Sequence, residues 1–252
     1  IAQDIVAMPN VSIKSGTPAK APTSVDLTDQ EFPLTGTIYQ YSIAGSVSGI
    51  ILVGTGQTYT SLTANDATGL FKAINDGIVT GNLTVKIVSD LTETGAVALN
   101  QTTEEAIYTI TVQPDAATMR TISGSYAGGL IRLNGADGIT FDGRFEGTGS
   151  YLTFSNTSTS GSAVFQLISL GTNAGATNNT IRNCNISAGS ITATTYGIFI
   201  GSATLGTAAD DNDNNSILNN IFTKANYGIY ARATATGVNN NLIITGNTIG
   251  SE

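Results

Sequence analysis

Short runs of alternating apolar and polar residues, separated by Gly, Asn and Asp, recur along most of this chain. Leu83, Val85 and Ile87 alternate with polar neighbours, the signature of a strand with one buried face. Tyr108, Ile110 and Val112 repeat it, and further apolar runs fall at 130–133, 139–141 and 152–154, each bounded by turn-forming residues. One stretch departs from this rhythm. Between Thr63 and Asp76, the residues Ala67, Leu70, Phe71 and Ile74 are spaced for a single apolar stripe on a helix. Thr63 or Asn65 is placed to cap its start and Gly77 to end it. The strand at 83–87 offers that stripe something to cover, so the helix reads as a lid on an open sheet end. Asn134-Gly135, Asp137-Gly138 and Asp142-Gly143 also suit tight hairpins, so turn chemistry alone leaves antiparallel pairing open.

An internal repeat decides between the two. The run from Asn178 to Ile186 (NNTIRNCNI) matches Asn214 to Phe222 (NNSILNNIF), and more loosely Asn241 to Ile249 (NLIITGNTI). Between these copies Tyr196-Gly197-Ile198-Phe199 is echoed by Tyr227-Gly228-Ile229-Tyr230. Each unit of roughly 26 to 36 residues carries two short strands, the size of one solenoid coil. Stacking the copies puts Ile181, Ile217 and Ile244 in one buried column and Ile186, Phe222 and Ile249 in another. Asn219, Asn220 and Asn247 mark the turns, where asparagine tolerates left-handed backbone and its amide can bond to the amide one coil on. Cys184 stands in an asparagine's place and is expected buried and inert. The fold class is therefore all-β: a right-handed parallel β-helix with an N-terminal capping region containing one short α-helix.

Domain organisation follows from where these patterns begin. Pro9, Pro18, Pro22 and Pro33 crowd the first residues and resist central strand pairing, so residues 1–36 read as an extended leader. Residues 37–82 form the capping region and 83–252 the β-helix. The final repeat stops at Ser251-Glu252 with no closing element, which points to further coils in a larger polypeptide.

Composition narrows the function. Charged residues make up 11% of the chain and the net charge is -8, which repels phosphate backbones and excludes nucleic acid as a natural partner. No apolar run approaches the roughly 18 residues a membrane span requires. Histidine is absent and there is one cysteine, so no metal-binding Cys/His cluster and no nucleophile with an imidazole base can be assembled.

Leu83 to Glu93 (LTVKIVSDLTE), Leu133 to Arg144 (LNGADGITFDGR) and Ser155 to Ser158, followed by the Asn-Asn-Thr-Ile coils, resemble the right-handed β-helix regions of large Bacteroidota surface proteins. Those proteins are typically exported through a type IX route, and many resemble adhesins or gliding-motility proteins. The resemblance implies an extracellular or cell-surface location and a partner that is a surface or extracellular glycan or protein. It fixes a fold better than a job.

Three candidate chemistries remain. Asp210, Asp211 and Asp213 gather carboxylates and amide oxygens suited to calcium, although an EF-hand is excluded because Ser216 and Phe222 stand where Gly and Glu are needed. The plainer reading is a polar turn between coils. Alternation turns Ile198 and Ile200 inward and Phe199 outward, with Tyr230 above it one coil on, a stack able to bind a sugar ring unless a loop covers it. Catalysis finds little support. Asp210-Asp211 is the only adjacent aspartate pair, and neither the Gly-His-Gly nor the Arg-x-Lys pattern of polygalacturonases is present. Asp142-Gly143-Arg144 reads as a local ion pair at a turn. The expected function is a non-catalytic structural or adhesive module, with carbohydrate binding or a polysaccharide lyase or hydrolase as alternatives.

Overall fold

In a computed structural model the described residues are 46–102 and 108–250. The leader expected over residues 1–36 and the start of the capping region lie outside them. Strand β1 (Ser46–Val53) is followed by helix α1 (Leu70–Asp76), and β2 (Ile78–Ile87), β3 (Leu91–Glu93) and β4 (Leu99–Asn100) make the next coil. Two further coils hold β5 (Ile110–Pro114), β6 (Arg120–Gly124) and β7 (Gly129–Asn134), then β8 (Ile139–Asp142), β9 (Leu152–Asn156) and β10 (Ser162–Ile168). The repeat copies supply β11 (Thr180–Arg182), β12 (Cys184–Ser190) and β13 (Thr195–Gly201), then β14 (Ser216–Leu218), β15 (Ile221–Ala225) and β16 (Tyr227–Ala231). The last described strands are β17 (Ile243–Thr245) and β18 (Thr248–Ile249).

Every pairing between these strands is parallel. Corresponding strands stack into a seven-stranded sheet (β1-β2-β5-β8-β11-β14-β17), a six-stranded sheet (β3-β6-β9-β12-β15-β18) and a five-stranded sheet (β4-β7-β10-β13-β16). The molecule is a parallel β-helix with three faces. The hairpin alternative is excluded between these strands: Gly135 and Gly138, with φ of 68° and 70°, turn corners from one sheet to the next. Since β1 and β2 belong to the same sheet as the later coils, the stack begins before residue 83, where periodicity placed it.

The interior follows from alternation. Strands β5 and β9 bury every second residue, and one ring from each sheet meets at the centre: Phe141, Phe154 and Phe165 lie with centroids 4.7 to 5.6 Å apart. Each such ring buried contributes about 1.5–3 kcal/mol of hydrophobic stabilisation. Ile181 pairs with Ile217 and Ile217 with Ile244, and Ile186 pairs with Phe222 and Phe222 with Ile249, as the repeat required. Ile181, Ile217, Ile186 and Phe222 are buried, whereas Ile244 and Ile249 are exposed, there being no described coil over them.

The repeat also carries a two-seat turn. The first seat is left-handed: Asn178, Asn183, Asn214, Asn219 and Asn241 have φ between 51° and 57°, and Gly246 takes the same seat at 67°. The second seat, buried at Asn215 and Asn220 and half-buried at Asn247, bonds across coils. The Asn215 amide accepts the N–H of Asn179, 36 residues earlier, and donates to Ala176 O. Asn220 does the same for Cys184 N–H and Ile181 O, and Asn247 for Asn220 N–H and Ile217 O. These side chains satisfy backbone groups at corners where no ladder bond reaches them.

At the other end, three different devices meet the sheet edges. Strand β1 stacks on β2. Helix α1 lies against β4, and its Asn75 amide donates to Ala98 O at 2.8 Å and accepts Asn100 N–H at 3.0 Å. It buries Leu70, Phe71 and Ile74 and ends at Gly77. The helix starts later than periodicity indicated, at Gly69 with no side-chain cap, so neither Thr63 nor Asn65 caps it and Ala67 is exposed. Thr63 has another task. With Ser61 and Leu62 it binds Glu93 at the end of β3, the third device.

Candidate functional site

Phe199 faces away from the core, as alternation required, yet it is fully buried. It stacks on Tyr230 of the next coil, centroids 6.0 Å apart and planes 14° from parallel. Leu205, in the loop after β13, packs on the same cluster. Gln166, paired with Phe199 in the preceding coil, pins that loop by donating from Nε2 to the carbonyls of Ser202 and Ala203, each at 3.0 Å. Phe199 is thus a covered cross-strand partner and no open platform. Tyr230 is half-buried.

Two tyrosines that strict alternation did not single out join them. A Cβ on Gly197 would lie 2.6 Å from the Phe222 ring, so only glycine fits inside this corner. With Gly197 against Phe222 and Ile198 in the core, strict alternation slips by one, and Tyr196 packs in the same outer cluster as Phe199. Its ring stacks on Tyr227 (5.1 Å, 21°) and touches Tyr230 (5.5 Å). Tyr227 and Tyr230 meet edge to face at 5.4 Å, and Tyr227 is 42% exposed. Burial first, then the neighbouring phenols of Tyr227 and Tyr230, pushes the Tyr196 hydroxyl up from its ordinary range.

The acidic turn disperses its carboxylates. Asp210 accepts hydrogen bonds from the hydroxyls of Thr172, in the preceding coil, and Thr234, in the following one. Asp211 accepts from Asn173 N–H at 2.9 Å, and Asp213 from Asn240 N–H and side-chain amide. Each oxygen set ties this loop to a neighbour. Among the described residues no group of three His, Cys, Asp or Glu side chains is gathered for a metal ion. Asp210, Asp211 and Asp213 thus each serve as acceptors in hydrogen bonds between coils.

A further aspartate is similarly engaged. Asp142, nearly buried, accepts from Arg144 beside it (Nε to Oδ1, 2.9 Å) and from Arg182 one coil on (Nη2 to Oδ2, 2.8 Å). Burial alone would push its carboxyl up, but the two guanidiniums outweigh that and hold it below the usual carboxylate range. Sequence spacing gave the Arg144 pair but not Arg182, because 40 residues separate it from Asp142.

Glu93 was not singled out from the sequence. It is almost wholly buried and accepts Ser61 Oγ, Leu62 N–H, Thr63 N–H and Thr63 Oγ1, at 2.5 to 2.8 Å. Its signal lay in Leu91-Thr92-Glu93, whose alternation puts the carboxylate on the same inward face as Leu91. Cys184 occupies the buried seat of the repeat turn, its Sγ 3.8 Å from Phe141 O, where an asparagine would donate. Burial first, then the Asp142 charge, pushes its thiol far up.

Comparison of the chain with protein-family models, with curated proteins and with solved structures returned no match.

Proposed function

We propose that this chain is a non-catalytic structural and adhesive module of a large secreted or surface-displayed bacterial protein. The carrying observation is the engagement of its polar chemistry. Asp210, Asp211 and Asp213 each bind a different residue of an adjacent coil, and Asp142 is clamped by two arginines. These four carboxylates are held in hydrogen bonds and ion pairs within the stack, whereas glycoside hydrolysis requires two that are free to act across one bond. A stiff stack with a weakly charged, hydroxyl-rich exterior suits spacing and contact outside a cell. Its likeness to Bacteroidota β-helix surface regions supports the location and a type IX export route.

Two measurements test this. Incubation with a panel of neutral and acidic polysaccharides is expected to release no new reducing ends and no unsaturated uronates; turnover abolished by Asp210→Asn or Asp211→Asn would overturn the non-catalytic reading. Antibody against the chain should label intact source cells or their culture medium. Labelling confined to permeabilised cells would refute the surface assignment.

A further inference from the structure

The six-stranded face of the stack carries a pattern that neither the ladders nor the corners require. On β6, β9 and β12 the buried residues Ile122, Phe154 and Ile186 are each flanked by two outward polar ones. Strand pairing sets these in two columns. Thr121 stacks on Thr153 and Thr153 on Asn185, while Ser123 stacks on Ser155 and Ser155 on Ser187. The second column continues to Thr92 of β3 on one side and Thr223 of β15 on the other, in unbroken register. Strands β6, β9 and β12 each have a paired strand on both sides, so the exposure of their outer face does not follow from where the stack begins or ends.

All six of these residues are half-buried, as side chains standing close together on a flat face are. Among the described residues no protein group bonds to the hydroxyls of Thr121, Thr153, Ser123, Ser155 or Ser187. Only Asn185 is tied down, its amide donating to Ser150 O. The hydroxyls therefore offer their donors and acceptors outward. Neither column holds a charged residue from β6 to β12; Asp90, at the margin, accepts Thr121 N–H at 2.8 Å. Nor does an aromatic ring stand there, so the face lacks the platform on which a sugar stacks.

What the face does offer is repetition. Neighbouring strands place hydroxyls about 4.8 Å apart, and alternate residues along a strand place them about 6.6 Å apart. The prism faces of ice present oxygens on a rectangular grid of comparable spacing. A single hydroxyl gains little by exchanging one water for another, so such a surface binds only where many bonds form in register at once. Threonine suits this, because its β-branch holds the hydroxyl and methyl in few positions before contact. The seven-stranded face makes the contrast. Thr84, Thr111, Thr140 and Thr180 form one column there. Two residues along, Lys86, Gln113, Asp142 and Arg182 interrupt the grid with charge.

We infer that the outer face of β6, β9 and β12 is an ice-binding surface, on which the two hydroxyl columns hold the first layer of a water lattice. This goes beyond the structural and adhesive reading and does not depend on it.

The test is partitioning during slow growth of ice from a solution of the chain and an inert acidic protein, each then measured in the melted ice and in the remaining liquid. The chain should be enriched in the ice and the inert protein left in the liquid. Thr153→Tyr and Ser155→Lys, which raise a bulky or charged group from the middle of the grid, should each abolish the enrichment. Thr111→Tyr, on the seven-stranded face, should leave it unchanged. Circular-dichroism melts establish which variants fold, and either grid variant alone suffices. Exclusion of the unaltered chain from the ice, or enrichment that survives a folded grid variant, would overturn the assignment. So would equal loss with Thr111→Tyr. Retention on powdered cellulose or chitin, lost with Thr153→Tyr while the chain stays out of ice, would assign the face to a polysaccharide instead.

Discussion

Replacing Asn220 by alanine should open one seam of the stack. Its buried amide accepts Cys184 N–H at 3.0 Å and donates to Ile181 O at 2.8 Å and to Asn247 Oδ1 at 3.0 Å. Alanine strands the first two groups. A buried group left unpaired costs about 1–3 kcal/mol, and the N–H, with one bonding direction, sits at the upper part of that range. The carbonyl, with two lone pairs, contributes less, and the alanine escapes the desolvation of an amide. The net is about 3 kcal/mol. Asn219→Ala next door, exposed at φ 55°, loses only left-handed tolerance, about 1–2 kcal/mol. Because coils in a solenoid contact only their neighbours, the loss should be local. Native-state hydrogen exchange read by mass spectrometry should show faster exchange across residues 180–190 and 216–249 and unchanged protection at 110–168. If Asn220→Ala lies within about 0.5 kcal/mol of the unaltered chain, or if protection falls equally in every coil, the asparagine seat does not hold the stack as argued.

Two further outcomes depend on ionisation. Asp142→Asn should cost about 1–2 kcal/mol near neutral pH, a modest figure because both arginines remain partly exposed. Since the folded carboxyl is held below its ordinary range, that contribution is present above the unfolded value and lost as pH falls through the folded one. Urea melts of the two proteins should therefore converge in strong acid; a gap that persists there would show that the clamp is not ionic. For Cys184 the sign reverses: the folded thiol keeps its proton more tightly than the unfolded one, so its contribution is complete below the ordinary value of 9.0 and shrinks as pH rises beyond it. A thiol reagent should accordingly label Cys184 in urea but not in the native state at neutral pH, and rapid native labelling would contradict its burial.

The coil register from Asn178 onward was legible because the same two-seat turn recurs with the same residues. Earlier coils fill those seats differently: Gly138 and Ile139 stand where Asn178 and Asn179 do, so the strands were visible by alternation but their register was not. The helix start was misplaced because Thr63 and Asn65 look like caps, whereas Thr63 is drawn to Glu93, a contact 30 residues away. For the aromatic face, alternation gave the direction of Phe199 correctly. It could not show the loop pinned by Gln166, nor the break in alternation at Gly197 that leaves Tyr196 outside. Both depend on side chains from other coils, which a local period does not encode.

The asparagine seats have a consequence for how such a chain can change. Successive seats are bonded across 40 residues (Asn179 to Ile139), then 36 (Asn215 to Asn179), then 27 (Asn247 to Asn220), with the inner columns in register throughout. Loop length is therefore a free variable, decoupled from the scaffold by a pair of residues at each corner. Segments can be lengthened, shortened or exchanged between corners without re-solving the interior. That gives the molecule a modular exterior on an invariant spine, and lets new contact surfaces arise one loop at a time.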